Sequence, residues 1–342
     1  METLCRRESH SVNRSDGASS VTFTNDVASL PVTPTERDRD TEDAAEVSPL
    51  GTALALLGDM WTLRIVMLVF SGRRRFQDIR TSLAISDPVL SRRLTVLIEH
   101  EILYTEEYQQ NPPRKEYLLT ESGRALWPIL VALWVWDRRW AGHEHRDAHM
   151  HLRHLPCGHL TRPVFGCAVC GAIGVGIRDT TGRVDERLHV DTHQKRSRRS
   201  PSMTTPIDAT GVLGDRWSTF LLSDAFTGSR RFNDFQTKLQ ISPVTLTQRL
   251  NLFVEGGLMS QDAIEGSKRT EYRLTPKALD FWEVTTTINH WAQRWVATDG
   301  HSGLSLTHTT CEAELVPQYT CNACNGVIER DQIRFEGAIS DL

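Results

Sequence analysis

The feature that most constrains this chain is an internal repeat at an offset of 156 residues. Residues 56–94 align with residues 212–250 without a gap, so that Trp61 pairs with Trp217. A match at one fixed offset predicts that both copies, each about 130 residues long, form the same structural unit. After one deleted residue, the match continues with KEYLLT at 115–120 and TEYRLT at 270–275.

Both copies contain the same order of helix-like and strand-like segments. Apolar residues recur at helical spacing, and a glycine-containing turn then leads into a short second helix and a third helix. Ser86 and Ser242 suit the N-caps of the third helices, as Thr120 and Thr275 suit those of the closing helices. Two strand-like segments around a polar turn lie between them. This order predicts a winged helix-turn-helix in each copy, and therefore an α+β, mainly α, protein.

The residue pattern resembles the HxlR-type family of bacterial transcriptional regulators. The resemblance rests on GDMWTLRIV, GRRRFQDI, ISDPVLSRRL and KEYLLTESGRAL, together with their second-copy equivalents. It covers about 50–142 and 206–297, roughly half of the chain. It implies a tandem regulator that binds double-stranded DNA through two winged helix-turn-helix domains.

The third helix of each copy is the expected DNA-reading element, because an α-helix fits the major groove. For any one residue on these helices, a solvated surface is an equally good interpretation. The two outer faces and the two wings differ in sequence, which predicts two non-identical half-sites. The predicted DNA contacts are Ser91, Arg92, Thr95, Thr245, Thr247, Gln248 and Asn251 in the third helices, Arg73, Arg74 and Arg230 in the basic turns, and Arg114, Lys115, Lys268 and Arg269 in the wings.

The two closing helices are rich in tryptophan. An aromatic stripe at helical spacing usually belongs to a core, but these helices carry more tryptophan than one small domain buries. In the family resembled, terminal helices form the dimer interface, which implies either an intramolecular pseudo-dimer or a homodimer of tandem chains. The tryptophans concerned are Trp127, Trp134, Trp136, Trp140, Trp282, Trp291 and Trp295.

A cysteine cluster follows each closing helix, and both clusters have the spacing H-x2-C-x9-C-x2-C. The intervening residues differ almost completely, whereas the four potential ligands stay in register; His159 has no counterpart. Three thiolates and an imidazole suit tetrahedral, structural zinc, with up to two ions per chain. Thiol-based sensing and plain structural packing are the alternatives. The expected ligands are His154, Cys157, Cys167 and Cys170 in the first copy, and His308, Cys311, Cys321 and Cys324 in the second.

A second thiol mechanism is disfavoured by the sequence. Some relatives of the resembled family sense electrophiles through a cysteine just before the first helix, commonly followed by proline. Ser48 and Thr205 occupy that position here, and Cys5 lies in the N-terminal tail.

The remaining sequence suggests the boundaries of the domains. Residues 1–46 carry ten acidic and five basic side chains and few apolar ones, which is typical of a disordered tail. No apolar run reaches the length of a membrane span, and no signal peptide is recognisable, so we expect a cytoplasmic protein without a membrane partner. The predicted organisation is a tail at 1–46, a winged-helix domain at 47–145, a ribbon-like cysteine-rich module at 146–178, a linker at 179–203, a second winged-helix domain at 204–298, and a second module with a C-terminal tail at 299–342.

The function expected from these patterns is DNA-binding transcriptional regulation without enzymatic activity, because no catalytic triad, P-loop or glycine-rich nucleotide motif is recognisable. The alternative is an interaction module in which one copy has lost DNA binding, or a redox sensor. Asp87 opens the third helix of the first copy and would repel phosphate, which makes that copy the better candidate for such a loss.

Overall fold

The computed structural model describes residues 32–34, 48–140, 151–184, 209–213, 216–263, 270–297 and 303–336. Most of the predicted tail and most of the predicted linker lie outside these ranges, as do Cys5 and Thr205. Within them, both copies form the winged helix-turn-helix and cysteine-rich module expected from the repeat.

The first winged-helix domain follows the predicted order, with its closing helix divided into a short and a long segment. Its elements are α1 (Pro49–Leu57), α2 (Met60–Phe70), α3 (Phe76–Leu83), α4 (Asp87–Glu99), β2 (Leu103–Gln110), β3 (Pro113–Leu119), α5 (Glu121–Arg124) and α6 (Trp127–Trp140); a short strand β1 (Val32–Pro34) precedes them.

The second winged-helix domain repeats this arrangement. Its elements are α7 (Ala209–Leu213), α8 (Arg216–Phe226), α9 (Phe232–Leu239), α10 (Pro243–Glu255), β8 (Met259–Ala263), β9 (Thr270–Leu274), α11 (Pro276–Asp280) and α12 (Trp282–Trp295).

Side-chain caps at the helix starts explain where several of these helices begin. Thr120 accepts a hydrogen bond from the amide of Gly123 at 3.0 Å, and Thr275 accepts one from Ala278 at 3.4 Å. Each cap satisfies an amide that has no partner within the helix. Ser242 caps α10 in the same way, whereas Ser86 occupies the N-cap position of α4 without a side-chain hydrogen bond.

Each winged-helix core forms where the third helix turns its apolar stripe inward. Leu90, Leu94 and Leu97 of α4 are buried, and so are Leu246, Leu250 and Phe253 of α10. The antiparallel hairpins β2–β3 and β8–β9 follow, the first with an irregularity between Glu107 and Gln109. Both third helices therefore direct their apolar faces inward and leave their polar faces outward.

The two copies pack against each other along a seam made by their closing helices. Helix α12 packs on α1 and α6, and α6 also packs on α7. The indole N–H of Trp136 donates to the carbonyl of Lys277 at 2.9 Å, and that of Trp291 donates to Ser122 at 3.0 Å. These two bonds join equivalent positions in opposite directions, so the seam has a local two-fold pseudosymmetry.

The cysteine-rich modules are interleaved across this seam. Their elements are β4 (His151–His154), β5 (Leu160–Thr161), β6 (Pro163–Cys167), a 3-10 turn (Ile177–Asp179) and β7 (Thr180–Val184) in the first copy, and β10 (Leu304–His308), β11 (Ala313–Glu314), β12 (Pro317–Cys321), a 3-10 turn (Arg330–Gln332) and β13 (Ile333–Glu336) in the second.

Strand pairing shows that neither module is built from one copy alone. Strand β6 pairs antiparallel with β12, β7 with β10, and β13 with β4. The last strand of each copy therefore completes the sheet of the other copy. The sequence suggests residues 180–184 for the linker, but they form β7. Their partner strand lies in the second copy, so the local sequence gives no signal of this pairing.

Among the described residues, no single helix has the length and apolar character needed to cross a membrane, although α1 and α2 together meet that test as a pair bent by 77°.

A buried carboxyl lies where the seam meets the second module. The Tyr319 hydroxyl donates to Glu283 Oε2 at 3.4 Å. Burial, and to a lesser extent nearby Asp280, raise the pKa of Glu283 to about 7, against the opposing effects of Arg139 and the Tyr319 hydrogen bond. Because this folded-state pKa lies above the unfolded value, the folded protein favours the protonated carboxyl.

We expect Glu283→Gln to reduce the loss of stability as the pH rises. The wild-type contribution is greatest at low pH and disappears as the pH rises through about 7. Between pH 6 and pH 8.5, the variant should lose about 1 kcal/mol less unfolding free energy than the wild type. Urea unfolding of the zinc-supplemented protein at both pH values measures this. Equal pH dependence in the two proteins would contradict the assignment.

Candidate nucleic-acid interface and metal centres

The outer face of α4 carries the predicted contacts of the first copy. Ser91, Arg92 and Thr95 are all exposed. The Thr95 hydroxyl donates to the Ser91 carbonyl at 3.0 Å, so one of these polar groups is already engaged along the helix. Arg92 therefore remains the longest side chain on this face that can reach a base edge.

The outer face of α10 has a different chemistry. Thr247, Gln248 and Asn251 are exposed, with the Thr247 hydroxyl bonded to the Pro243 carbonyl at 2.8 Å. Thr245 is half-buried and lies 2.8 Å from Ser242, oxygen to oxygen, so it helps to form the helix cap.

One exposed residue on the outer face of α10 is apolar. Val244 is 68% exposed at the first turn of the helix, an unusual position for an aliphatic side chain. An apolar group in the major groove can contact a thymine methyl group.

The charge of Asp87 is balanced by a residue from the preceding helix. Arg80 of α3 forms a salt bridge with Asp87 in which both side chains are substantially exposed. Whether Asp87 repels phosphate at the start of α4 stays a prediction, but the helix-turn-helix brings the positive charge of Arg80 alongside it. Gln236 and Pro243 occupy the equivalent positions in the second copy, so this pair is particular to the first.

The basic turns divide into structural and exposed cations. Arg73 is half-buried and donates to the Ser82 hydroxyl at 2.7 Å, which commits it to holding the turn against α3. Arg74 is exposed, and Arg75 lies over the Tyr108 ring at 4.4 Å. Arg230 in the second copy is half-buried, whereas its equivalent in the first copy, Arg74, is exposed.

The first wing presents exposed cations at its tip. Arg114 and Lys115 lie at the start of β3 and are both exposed. Lys268 and Arg269, predicted for the second wing, lie outside the described residues.

The eight predicted metal ligands form two compact clusters. In the first, His154 Nδ1 lies 3.4 Å from Cys157 Sγ and 3.3 Å from Cys324 Sγ, and Cys157 Sγ lies 3.8 Å from Cys321 Sγ. In the second, His308 Nδ1 lies 3.4 Å from Cys170 Sγ and 3.3 Å from Cys311 Sγ. Within each cluster, all four ligand atoms lie within 4.8 Å of one another.

The grouping of the ligands corrects the arrangement inferred from the sequence. Each cluster takes its His–Cys pair from one copy and its Cys–Cys pair from the other. The sequence spacing suggested one site per copy, but β6 and β12 run antiparallel and each carries its terminal cysteine toward the opposite copy. The members are His154, Cys157, Cys321 and Cys324 in the first cluster, and Cys167, Cys170, His308 and Cys311 in the second.

Tight turns shape the Cys–Cys half of each cluster. The Gly171 amide donates to the Cys167 carbonyl at 2.9 Å, and the Asn325 amide donates to Cys321 at 2.8 Å. Both Gly171 and Asn325 have positive φ, which glycine and asparagine tolerate well. A Cβ on Gly326 would lie 3.1 Å from His154 Cε1, so a larger residue here would press on a ligand from the other copy.

The donor set and its geometry fit a tetrahedral metal ion. Bonds of about 2.3 Å to sulfur and about 2.0 Å to nitrogen give ligand–ligand separations of roughly 3.5 to 3.8 Å, close to those observed. Burial opposes ionisation of Cys321, but hydrogen bonds from Thr161, the backbone at 323 and 324, and Cys157 prevail and lower its pKa to about 6. The residues can thus hold a metal ion such as zinc through thiolate and imidazole ligands.

The serine in place of the sensing cysteine has a structural role. Ser48 is buried, and its hydroxyl accepts a hydrogen bond from the Gly51 amide at 2.9 Å as the N-cap of α1.

The arrangement of these domains agrees with a match to a known family. The model of the HxlR-like helix-turn-helix family matches residues 56–145 and 212–299, just over half of the chain. This chain belongs to the HxlR-like helix-turn-helix family. The family is one of transcriptional regulators, and the match falls separately on the two winged-helix domains.

Similar proteins carry consistent names. The uncharacterized HTH-type transcriptional regulator Mb3122 of Mycobacterium bovis is 37% identical over 126 residues, which are 37% of this chain and 79% of that protein. YdeP of Bacillus subtilis, named in the same way, is 30% identical over 99 residues, covering 29% of this chain and 77% of that protein. The crystal structure of PA1607, a candidate transcription factor, is 28% identical, covers 36% of this chain and 90% of that one, and has a TM-score of 0.33.

Proposed function

We propose that this HxlR-like regulator binds an operator with α4 and α10 as its two recognition helices. The observation that carries the proposal is that both helices bury an apolar stripe and leave a polar face exposed. Exposed arginine near α4 and in the first wing would contact phosphate, which positions a protein on DNA without specifying sequence.

The two recognition faces favour an asymmetric operator. Arg92 in α4 suits a guanine edge, whereas Gln248 at the equivalent position in α10 suits adenine, and Val244 adds an apolar contact. A homodimer of identical domains would instead read two identical half-sites.

We further propose that the DNA-binding unit is the pair of domains within one chain. Reciprocal hydrogen bonds from Trp136 and Trp291 cross the seam, and the interleaved strands tie the copies together. Such a seam would set the distance between the two recognition helices, as a dimer interface does for separate chains.

Two structural zinc ions complete the proposal. Each cluster supplies four protein ligands and leaves no open position for a substrate, which is the pattern of a structural rather than a catalytic site. Zinc would supply charge neutralisation and a rigid link there. A reducing compartment such as the cytoplasm, where we expect the regulator to act, keeps such cysteines available as ligands.

We expect Arg92→Ala and Gln248→Ala each to weaken specific DNA binding, because each removes the side chain best placed to read one half-site. The cost should be about 1 to 3 kcal/mol, or roughly 5- to 150-fold in Kd. Gel shifts with the DNA fragment that the full chain enriches most strongly from genomic DNA measure this.

Matched controls for this experiment lie in the second cysteine-rich module. Arg334 is exposed on β13, and Gln332 makes its recorded hydrogen bonds through its main chain only, so alanine at either should leave Kd within twofold. If neither recognition-helix variant binds more weakly than these controls, α4 and α10 are not the reading elements.

We expect two zinc ions per chain, held across the copies. The double variant Cys157→Ser, Cys321→Ser replaces two ligands of the same cluster and should leave one tightly held zinc ion, in the other cluster. Cys157→Ser with Cys167→Ser alters both clusters and should leave none. Elemental analysis after an EDTA wash distinguishes these two matched double variants.

If the Cys157→Ser, Cys321→Ser variant instead loses both ions and the Cys157→Ser, Cys167→Ser variant keeps one, each copy holds its own ion. Less than about half a zinc per wild-type chain, in protein purified under reducing conditions, would contradict zinc binding itself. Neither outcome depends on DNA binding, so the two parts of the proposed function are tested separately.

A further inference from the structure

The local pseudosymmetry of the seam is broken at one pair of positions. The Asp280 carboxylate accepts hydrogen bonds from Arg139 Nη1 and from the Trp140 indole, both at 2.8 Å to Oδ2. The equivalents of Arg139 and Trp140 are Arg294 and Trp295, so the second copy repeats the donor pair. The acceptor is not repeated, because position 125, the equivalent of Asp280, is alanine.

The donors on that side are consequently left without a carboxylate. The indole N–H of Trp295 is buried and has no hydrogen-bond partner. Arg294 is exposed, lies over the Trp295 ring at 5.8 Å, and has no ion pair recorded with the residues that the structure describes. A buried indole N–H without an acceptor is costly, so this site is incomplete as it stands.

These residues line an open cleft between the two copies. Ala125, Arg294 and Trp295 all line a cavity of about 900 Å³, which is within the size range of small-molecule sites. Aromatic surface is supplied by Tyr104, which is 39% exposed, and by the half-buried Phe70 and Trp295. The carboxylates on its lining, Glu329 and Asp331, are both exposed.

We propose that this cleft binds a small aromatic carboxylic acid. The ligand carboxylate occupies the position that Asp280 fills on the other side of the seam, and accepts hydrogen bonds from Arg294 and the Trp295 indole. The aromatic body packs on the Tyr104, Phe70 and Trp295 side chains, because aromatic side chains favour planar rings. Only one such site exists per chain among the described residues, because Asp280 already fills its counterpart.

The choice of a carboxylate follows from the protein's own contact. Arginine recognises planar carboxylates through directed N–H bonds. The contact between Arg139 and Asp280 shows that the equivalent donors on the other side of the seam bind a carboxylate. The ligand would bridge the first winged domain and the closing helix of the second. Any resulting change in operator affinity rests on the proposed function, whereas binding of the acid does not.

Calorimetric titration of the zinc-supplemented full chain with 2-naphthoate tests the proposal. We expect one site per chain with Kd below about 1 mM, and at least tenfold weaker binding of the neutral 2-naphthamide. Arg294→Gln should weaken naphthoate binding at least tenfold. Arg139→Gln is the matched control, because it alters the side already closed by Asp280, and should leave Kd within twofold.

Ala125→Asp supplies the missing carboxylate from the chain and should abolish naphthoate binding. Zinc content and near-ultraviolet circular dichroism check that this variant is folded; if it does not fold, the exposed Arg294→Gln and its control decide the matter. The proposal is overturned if naphthoate fails to bind the wild type, or if Arg294→Gln binds it as tightly as Arg139→Gln. It is also overturned if folded Ala125→Asp retains binding. None of these measurements involves DNA.

Discussion

The exchange of strands and ligands between the two copies is the constraint on which the rest of the structure depends. Cys157 and Cys321 are 164 residues apart in the chain, yet their sulfur atoms lie 3.8 Å apart. A metal ion bound by these ligands would join segments from both copies, and because such a site forms only in the folded chain, its binding free energy would contribute to folding. The arrangement across copies would therefore couple the folding of the two domains.

A metal ion in each cluster would also affect α4 and α10. The clusters lie beyond α6 and α12, the helices that form the seam, and those helices follow the wings after the short helices α5 and α11. The Trp127 indole donates to the Ile328 carbonyl at 3.3 Å, and Arg330 donates to the Phe70 carbonyl at 2.8 Å, so the second module touches the first winged domain directly. Holding the modules together thus restrains the domains that carry α4 and α10.

Local chemistry was predictable from the sequence, and long-range pairing was not. Thr120 and Thr275 cap their helices as expected, since a cap depends on residues three positions apart. The eight ligands were recognisable because duplication preserved them while their surroundings diverged. Their grouping was not, because the two His–Cys pairs have the same internal spacing, as do the two Cys–Cys pairs, so either combination supplies the same four kinds of ligand. Arg80 beside Asp87 was missed for the same reason, as the contact depends on how two helices pack.

Duplication within one chain frees each copy to differ where a homodimer cannot. In a dimer of identical chains, the position of Asp280 would be the same on both sides, and a carboxylate would close both or neither. Here Asp280 closes one side while Ala125 leaves the other open beside Arg294 and Trp295. The same freedom lets Arg92 and Gln248 occupy equivalent positions on α4 and α10. Asymmetry at the seam and asymmetry between the outer faces of α4 and α10 are therefore two consequences of one covalent connection.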